Sequence, residues 1–453
     1  MDFSNKRVGI WGLGVVGSSA LRFFHERSAI ISVMDAKEPE SSTRAWLTEN
    51  NIPFILQKDS ASFIETHDYL LASPGIDLRP YAAFKERFLT ELDLFGHYWK
   101  KPIIAITGSV GKTTVTHLLS SILTAAGKKV ATGGNIGTGM LDLLAHQNDA
   151  DMAVLEVSSF QLEWCRSFAP TIALWTNLHP NHLDRHGSLE NYFNAKAGIL
   201  IRQQPEQVAL VPAELYDRVK ATGTRATVVP WALHRAALDG LSQFTSAYIK
   251  DESHISRMII DTNSAARLDP ICDLDQIPPV SFMGNWILIL AALDQCGIRF
   301  NHHLSDQITV PEHRLELVAT HDKIRWYNDS KSTIPAATLA AVEQLNSSSI
   351  ILFIGGVSKG VDRSPFITQL AGKIKRLYCF GKEAIELCAI AEQSKIESYH
   401  FATLEQAVTA CKNSLEPQDI VLFSPGGASY DLYKNYQERG AHFKQLIVDK
   451  NQS

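Results

Sequence analysis

The sequence of 453 residues predicts an α/β protein of three domains with mostly parallel sheets. Strand-like apolar runs alternate with helix-like segments along nearly the whole chain, which is the pattern of parallel sheets covered by helices. The length exceeds that of one typical domain. Glycine-rich turns join a strand-like run to a helix-like segment at residues 12–17 and 107–114, as in nucleotide-binding α/β folds.

The composition indicates a packed protein with neither a nucleic acid nor a membrane as partner. Hydrophobic residues make up 45% and charged residues 20% of the chain, and the net charge is −5. A chain of this composition and net charge is not expected to present a polybasic surface. The chain has no apolar run of about 18 residues and no secretory segment at its start, so we expect a cytoplasmic protein. Its six cysteines form no C-x-x-C pair and are expected to be free thiols.

The chain separates into three segments. We expect domains at residues 1–95, 96–310 and 311–453. The third segment has its own strand-like runs, at 324–327, 349–354, 376–380 and 420–424. Residues 205–280 contain strand-like runs at 208–211 and 257–260 but no motif that points to a function.

The first segment carries a nucleotide-binding pattern. Its G-x-G-x-x-G sequence at residues 12–17 follows a strand and opens a helix, and the next strand, 30–34, ends at Asp35. A carboxylate in that place binds ribose in dinucleotide folds. Ser73 follows a third strand, where such sheets bind ligands. These features favour NAD(P) or another nucleotide diphosphate, and the phosphate loop further along the chain argues against a simple dehydrogenase.

The second segment opens with a phosphate-binding loop. The sequence T-G-S-V-G-K-T-T at residues 107–114 lies between a β-branched strand and a helix predicted over 115–126. Backbone N–H groups of such a loop surround phosphate oxygens, Lys112 reaches the outer phosphates and Thr113 can ligate Mg²⁺. The full motif has a glycine where Ile106 stands. The loop predicts binding of a nucleoside triphosphate.

Two further sequences near this loop offer polar groups to a ligand. Glu156 ends an apolar strand and either holds Mg²⁺ opposite the phosphate loop or caps the following helix. Asn135 lies within the glycine-rich sequence G-G-N-I-G at 133–137, which permits a close approach of a ligand.

Three histidines, His179, His182 and His186, lie within eight residues. Zinc is one interpretation. The other is that one histidine serves a Mg²⁺ site while the remaining two are caps or exposed. Lys196 lies in a helix predicted over 189–201, and composition alone predicts a surface lysine there.

Together these segments resemble the Mur ligases of bacterial cell-wall synthesis, which are ATP-dependent amide ligases. The motifs that carry the resemblance occur in the family's order between residues 9 and 443. They are GLG at 12–14, SPGI at 73–76, TGSVGK at 107–112, GGNIG at 133–137, LEVSSFQLE at 155–163, Asn177, His182, DR at 184–185, Lys196, HR at 313–314, NDSKST at 328–333, GGVSK at 355–359, SPGGAS at 424–429, RG at 439–440 and Phe443.

The resemblance implies a Rossmann-like N-terminal domain for a UDP substrate, a central P-loop ATPase domain and a Rossmann-like C-terminal domain for an amino acid. It implies addition of D-glutamate to UDP-N-acetylmuramoyl-L-alanine through an acyl phosphate, in peptidoglycan precursor synthesis. The cofactors would be ATP and two Mg²⁺ ions, with Lys196 carbamylated by CO₂. We expect a monomer.

The resemblance also assigns roles to individual residues. The catalytic set is Lys112, Glu156, His182 and Lys196. The ATP-binding set is Gly108, Ser109, Val110, Gly111, Lys112, Thr113, Thr114, Asn285, Arg314 and Asp329. The substrate-binding set is Val15, Val16, Asp35, Ser73, Asn135, Ser158, Gln161, Lys331, Thr333, Lys359 and Ser429. The metal ligands are Thr113, Glu156, His182 and the carbamate of Lys196.

The sequence departs from the family's pattern at the nucleotide site. Val110 stands where the phosphate loop usually has asparagine. The usual H-N-x-x-N sequence of the central helix is reduced to Asn285, with Gly284 and Leu288 at the other polar positions. We expect these changes to affect ATP affinity and rate rather than the class of reaction.

Other functions remain open at this point. One is a related amide ligase that adds a different amino acid or acts on folate, although folate enzymes lack the N-terminal UDP domain. Another is an NAD-dependent oxidoreductase with an incidental phosphate loop. A third is a catalytically weakened binding protein, suggested by Val110 and Leu288.

Overall fold

Three separate sheets organise the protein. The structure is a computed structural model that describes residues 1–57, 60–260, 266–278, 280, 282–308, 311–358 and 360–448. The sheets have five, nine and six strands and follow one another along the chain. Helices cover them, which confirms the α/β class with mostly parallel sheets.

The first sheet is entirely parallel, in the order β3-β2-β1-β4-β5. Its strands are β1 (Arg7–Trp11), β2 (Ile30–Asp35), β3 (Phe54–Leu56), β4 (Tyr69–Ala72) and β5 (Phe88–Leu89). Its helices are α1 (Val15–His25), α2 (Ser41–Glu49), α3 (Ser60–Glu65), a 3₁₀ helix (Arg79–Arg87) and α4 (Glu91–Tyr98). The strand predicted over 30–34 is therefore present and ends at Asp35, as expected.

Gly17 is required where α1 packs on the loop before it. A Cβ atom at this position would lie 1.8 Å from the carbonyl oxygen of Gly12. Because a backbone atom has little room to move, we expect Gly17→Ala to destabilise the protein by about 3 kcal/mol. The midpoint of thermal unfolding, followed by circular dichroism, measures the effect. Gly75→Ala is the control, since a Cβ there meets no atom within 4 Å; equal midpoints for the two variants would contradict the prediction.

All strands of the second sheet run in the same direction except one, which lies next to the edge strand. Its order is β14-β13-β12-β11-β10-β9-β6-β8-β7, and β13 pairs antiparallel with both neighbours. Its strands are β6 (Ile103–Thr107), β7 (Val130–Gly134), β8 (Met152–Glu156), β9 (Ile172–Trp175), β10 (Val208–Pro212), β11 (Thr227–Ala232), β12 (Ser246–Lys250), β13 (His254–Ile260) and β14 (Ala266–Asp273). Residues 205–280, which carry no motif, thus extend this sheet.

Helices pack on both faces of the central sheet. They are α5 (Lys112–Ala125), α6 (Met140–Leu143), α7 (Ser159–Leu162), α8 (Leu183–His186), α9 (Leu189–Ala197), α10 (Tyr216–Lys220), α11 (Met283–Gln295) and α12 (His302–Ser305). Short 3₁₀ helices lie at Leu144–His146, Ala213–Leu215, Arg235–Leu238 and Leu274–Gln276. The helix predicted over 115–126 begins three residues earlier, at Lys112, and the one predicted over 189–201 ends at Ala197.

The third sheet has the order β15-β16-β20-β17-β18-β19, with only β15 antiparallel to its neighbour. Its strands are β15 (Glu316–His321), β16 (Ile324–Asn328), β17 (Ile350–Gly355), β18 (Arg376–Phe380), β19 (Ser398–Phe401) and β20 (Ile420–Phe423). Its helices are α13 (Pro335–Leu345), α14 (Ser364–Leu370), α15 (Ala384–Gln393), α16 (Leu404–Lys412) and α17 (Tyr436–Val448).

The first two domains share one hydrophobic core. Leu92, Leu94 and Phe95 of α4 are fully buried and belong to a cluster that contains residues of both sheets. The boundary expected after residue 95 therefore falls within α4. The third sheet has its own core clusters. Among the described residues no helix has the length and apolar character to span a bilayer, and none of the six cysteines, all of which are described, forms a disulfide.

Candidate active site

The phosphate loop lies at the carboxyl edge of four neighbouring parallel strands. It follows β6, while Asn135 follows β7, Glu156 ends β8 and Asn177 follows β9. Parallel sheets bind ligands at this edge, because the loops after adjacent strands meet there. The sheet order β9-β6-β8-β7 thus brings together motifs that are up to 70 residues apart along the chain.

The loop folds around the ammonium group of Lys112. Its Nζ donates hydrogen bonds to the carbonyl oxygens of Gly108, at 2.9 Å, and Ser109, at 3.2 Å. Burial lowers the pKa of Lys112, an effect that Glu156 opposes and Arg314 reinforces. A cation held in this way is available to outer phosphate oxygens.

The backbone at Val110 is held by neighbouring side chains. The N–H of Val110 donates to Asn177 Oδ1 at 3.0 Å, and its carbonyl accepts from Thr176 Oγ1 at 2.6 Å and Asn177 Nδ2 at 3.2 Å. Valine at this position lacks the polar side chain that asparagine would supply. The backbone of the loop is nevertheless held by Thr176 and Asn177, which follow β9.

Lys196 is buried and points at the same loop. It is 1% exposed, and its Nζ donates to the carbonyl oxygen of Gly108 at 2.8 Å, so it shares that acceptor with Lys112. Its ammonium also lies 4.4 Å from the ring centre of Tyr192. Burial lowers its pKa well below the usual value, and Lys112 adds to this while Glu156 opposes it. The surface location predicted from composition alone is wrong.

Glu156 has one carboxylate oxygen that is available to a ligand. Its Oε1 accepts from Asn135 Nδ2 at 2.8 Å, whereas Oε2 is buried and has no hydrogen-bond partner. It does not cap α7, because Ser158 does so, accepting a hydrogen bond from the Gln161 N–H at 3.3 Å. An orphaned carboxylate oxygen beside a phosphate loop fits a hard divalent cation such as Mg²⁺.

Thr113 and His182 line the same cavity as Glu156, which has a volume of about 200 Å³. His182 is the residue that precedes α8 and has a positive φ of 54°. Hydroxyl, imidazole and carboxylate groups of this kind fit Mg²⁺ with phosphate oxygens and water as further ligands. Among the described residues, no group of three or more His, Cys, Asp or Glu side chains could hold a metal ion by itself.

The three histidines after β9 do not converge. His186 is buried, stacks on Phe160 at 5.4 Å and bonds through Nε2 to Ser159 Oγ at 3.0 Å. His179 is partly buried near Phe282, and burial lowers its pKa. The expectation that the histidines other than the Mg²⁺ ligand are caps or exposed is wrong for His186, and a zinc site of these residues has no geometric support.

The C-terminal domain closes one side of the phosphate-loop cavity. Arg314 is buried, and its Nη1 donates to Thr114 Oγ1 at 2.9 Å, which joins the third domain to α5. Asp329 and Lys331 follow β16 and line the cavity together with Thr333. The Lys331 ammonium lies 4.0 Å from the ring centre of Tyr436.

Two residues of the predicted amino-acid site lie elsewhere or are not described. Ser429 is 3% exposed, follows β20, and is absent from the described lining of the phosphate-loop cavity. Lys359 lies outside the residues that the structure describes. The predicted grouping of Lys331, Thr333, Lys359 and Ser429 therefore stays a prediction.

A second cavity, of about 280 Å³, adjoins the first at Asn135, which lines both. Its walls bring together six of the predicted substrate-binding residues. They are Val15, Val16, Ser73, Asn135, Ser158 and Gln161. A third cavity, of about 670 Å³, continues from Val15 to Asp35. The three cavities form one tract from the first domain to the phosphate loop.

Asp35 holds the glycine turn of the first domain. Its Oδ2 accepts from the N–H of Leu13 at 2.7 Å, and its Oδ1 accepts from the N–H of Lys37 at 3.1 Å. The carboxylate is thus positioned at the carboxyl end of β2, beside the third cavity, where a ribose-binding acid is expected.

The unusual sequence of α11 has a packing explanation. A Cβ atom on Gly284 would lie 2.6 Å from the indole ring of Trp231, so no larger side chain fits there. Leu288 is fully buried in the core beside α5, away from the described lining of the nucleotide cavity. Asn285 is buried and does line that cavity.

Sequence reasoning missed several residues of the cavity wall. They are Asn181, Val280, Phe282, Ser332, Ile334 and Ala337. Asn181 is adjacent to His182 and Ser332 lies within the NDSKST motif, so the sequence could have indicated both residues. The four apolar residues have no polar signal, and only the folded chain shows that they line the site.

The fold and this site define an ATP-using ligase, and the chain belongs to the Mur ligase family. Residues 6–86 match the family's MurD-like N-terminal domain, residues 106–261 match the Mur ligase middle domain, and residues 313–427 match the Mur ligase glutamate ligase domain.

Relatives of nearly the same length support this assignment. The UDP-N-acetylmuramoylalanine--D-glutamate ligase of Pseudoalteromonas translucida is 32% identical over 99% of this chain and 98% of its own length. The protein of the same name from Desulfotalea psychrophila is 33% identical over 97% of this chain and 95% of its own.

Solved structures show the same fold. A pseudomurein peptide ligase type C from Methanothermus fervidus superposes with a TM-score of 0.57, at 16% identity, over 98% of this chain and 99% of that one. The UDP-N-acetylmuramate-alanine ligase MurC from Thermotoga maritima gives 0.56, also at 16% identity, over 98% of this chain and 100% of that one. The three-domain architecture is therefore confirmed.

Proposed function

We propose that the protein adds D-glutamate to UDP-N-acetylmuramoyl-L-alanine, with ATP as the energy source, in peptidoglycan precursor synthesis. The observation that carries the proposal is the near full-length similarity to relatives named for this reaction. The tract of cavities supports it, because a nucleotide, a sugar and one amino acid form an elongated substrate that ends in a carboxylate.

We assign each part of that substrate to one region of the tract. Asp35 would bind at the nucleoside end, and Ser73 with the glycine turn of the first domain would contact the diphosphate region. Asn135, Ser158 and Gln161 would contact the muramoyl part. The substrate carboxylate would then reach the cavity that Lys112 and Glu156 line.

Activation of a carboxylate needs a leaving group. Transfer of the ATP γ-phosphoryl group to that carboxylate gives an acyl phosphate, which the amine of the amino acid attacks with release of phosphate. Phosphoryl transfer depends mainly on positioning and on compensation of negative charge. Lys112 and Arg314 would supply that charge, and the backbone of residues 108–114 would hold the phosphates.

Two Mg²⁺ ions belong to the proposal. Thr113, Glu156 and His182 would hold them, together with Lys196 as a carbamate, since carbamylation converts a buried cation into an oxygen-donor anion. When bound, the ions neutralise phosphate charge and orient the reacting oxygens. The orphaned Oε2 of Glu156 and the burial of Lys196 next to the loop support this arrangement.

D-Glutamate carries two carboxylates and needs cationic and hydroxyl donors. Lys331 and Thr333 already line the phosphate-loop cavity, and Ser429 follows β20. These three residues, together with Lys359 on the ground of its motif alone, would bind D-glutamate through charge-assisted hydrogen bonds to both carboxylates.

The remaining expectations are part of the same proposal. The domains would span residues 1–95, 96–310 and 311–453, the first boundary lying within α4. We expect a cytoplasmic monomer that binds neither nucleic acid nor membrane.

Phosphate release tests the proposal directly. The protein is mixed with ATP, Mg²⁺ and UDP-N-acetylmuramoyl-L-alanine, and each of a panel of amino acids is added in turn. We expect release that requires both the UDP substrate and D-glutamate. Release with another amino acid would point to a related ligase, and binding of the UDP substrate without release would point to a weakened binding protein.

A further inference from the structure

A buried carboxylate joins the first two domains next to the proposed substrate cleft. Glu91 lies in the first turn of α4, the helix that connects the domains, and is 3% exposed. It has no role in the phosphate-loop cavity. Burial of a carboxylate is unfavourable unless hydrogen bonds satisfy its oxygens, so both oxygens of Glu91 need partners.

One oxygen of Glu91 holds the loop after β7. Its Oε1 accepts from the N–H of Met140, the first residue of α6, at 2.8 Å. Residues 134–137, just before this helix, line the second cavity together with Gln161. The carboxylate thus fixes the end of a glycine-rich loop that shapes the cleft.

A second cleft residue, Gln161, lines the same small cavity as Glu91. The Gln161 Oε1 accepts from both the N–H and the Oγ of Ser158, each at 2.9 Å, so its amide nitrogen must point the other way. Glu91 Oε2 and Gln161 Nε2 are both buried without a partner at hydrogen-bond distance. The two residues line one small cavity of about 30 Å³, an acceptor and a donor that are complementary.

The charge of Glu91 is sensitive to pH near neutrality. Burial raises its pKa to about 7, while the backbone N–H groups of Met140 and Leu141 and the Gln161 amide lower it. Asp142 on α6 raises it further, and Asp142 is itself paired with Arg22 of α1 at 2.7 Å. Arg185 of α8 is the other charged residue that lines the small cavity.

We propose that Glu91 is a positioning residue for the UDP substrate: its carboxylate fixes the orientation of the Gln161 side chain, which lines the cleft, and fixes the loop of residues 134–139. This inference rests on the proposed function, in which Gln161 contacts the muramoyl part. Protonation of Glu91 removes an acceptor from Gln161 Nε2, and the substrate then meets a poorly oriented amide.

Glu91→Gln tests the proposal with little change in volume. The amide that replaces the carboxylate has an NH₂ group in place of one oxygen. Either this NH₂ group faces the NH₂ group of Gln161, or it faces the N–H of Met140 and the hydrogen bond to Met140 is lost. We expect the KM for UDP-N-acetylmuramoyl-L-alanine to rise about tenfold, as for loss of a hydrogen bond to a charged group. The kcat and the KM for ATP should stay near wild type. Glu86→Gln is the control, because Glu86 is 89% exposed at its side chain and lies nearby in the chain.

The pH profile separates positioning from mere stability. In the wild type, the KM for the UDP substrate should rise as the pH falls through about 7, because the carboxyl takes up a proton, and this dependence should be absent in Glu91→Gln. Calorimetric titration of the wild type with the UDP substrate, without ATP, needs no variant. An affinity that does not fall as the pH is lowered, or a variant with the wild-type KM, would overturn the positioning role. Failure of the wild type to bind the UDP substrate at any pH would instead overturn the proposed function.

Discussion

Lys112→Ala is expected to reduce ATP-dependent phosphate release by about a thousandfold or more, as loss of a preorganised charge at a transferring group does. The Lys112 ammonium is held by two carbonyl oxygens of the phosphate loop. Under the proposed function, its removal would take a protein cation away from the γ-phosphoryl oxygens. Stopped assays of phosphate, with saturating D-glutamate, measure the loss.

Binding of the UDP substrate should survive the same substitution. Lys112 does not line the second and third cavities, where the nucleoside and the muramoyl part would lie. Calorimetric titration of Lys112→Ala with UDP-N-acetylmuramoyl-L-alanine should therefore give the wild-type affinity. Lys101→Ala, at an exposed position just before β6, is the matched control and should keep wild-type turnover. Appreciable turnover by Lys112→Ala would refute the role assigned to the phosphate loop.

Local sequence predicts the fold well where a strand ends in a motif. The phosphate loop, Asp35 and Glu156 each lie at the carboxyl end of a predicted strand, and the structure places all three there. Hydrophobic alternation and glycine-rich turns are local signals, so they can be interpreted without knowledge of the sheet order. The antiparallel pairing of β13 with β12 and β14, by contrast, is indicated by no motif.

Contacts between distant segments could not be predicted in this way. The need for glycine at position 284 depends on the indole of Trp231, and the anchoring of Val110 depends on Asn177. Similarly, His186 is buried because it packs against Phe160 and Ser159 of α7. Each of these contacts follows from how the strands and helices pack together, which composition and periodicity do not specify.

Lys196 shows the same limitation most clearly. A lysine in a helix with polar neighbours is normally exposed, and burial of an ammonium is unfavourable unless it is compensated. Here the side chain, which lies on α9, ends at the Gly108 carbonyl, 2.8 Å away, with Lys112 at the same acceptor. Burial lowers the pKa of Lys196, and Lys112 at the same acceptor adds to this while Glu156 opposes it, so the neutral amine is easier to form than on an exposed lysine. A neutral amine can add CO₂ to form a carbamate with release of a proton, which would replace one of the two cations by an anion.

Lys196→Ala is therefore expected to lose nearly all turnover, by about a hundredfold or more, because under the proposed function it would remove one anionic metal ligand. Short carboxylates such as acetate or formate fit the space left by the side chain and should restore part of the activity, since they return an oxygen-donor anion to the same position. Lys196→Arg should remain inactive with or without them, because a guanidinium fills the space and does not form the carbamate. Lys220→Ala, at an exposed position of α10, should behave as the wild type with and without carboxylate. Phosphate release measured across a series of carboxylate concentrations distinguishes the cases, and full activity of Lys196→Ala in the absence of added carboxylate would exclude the carbamate.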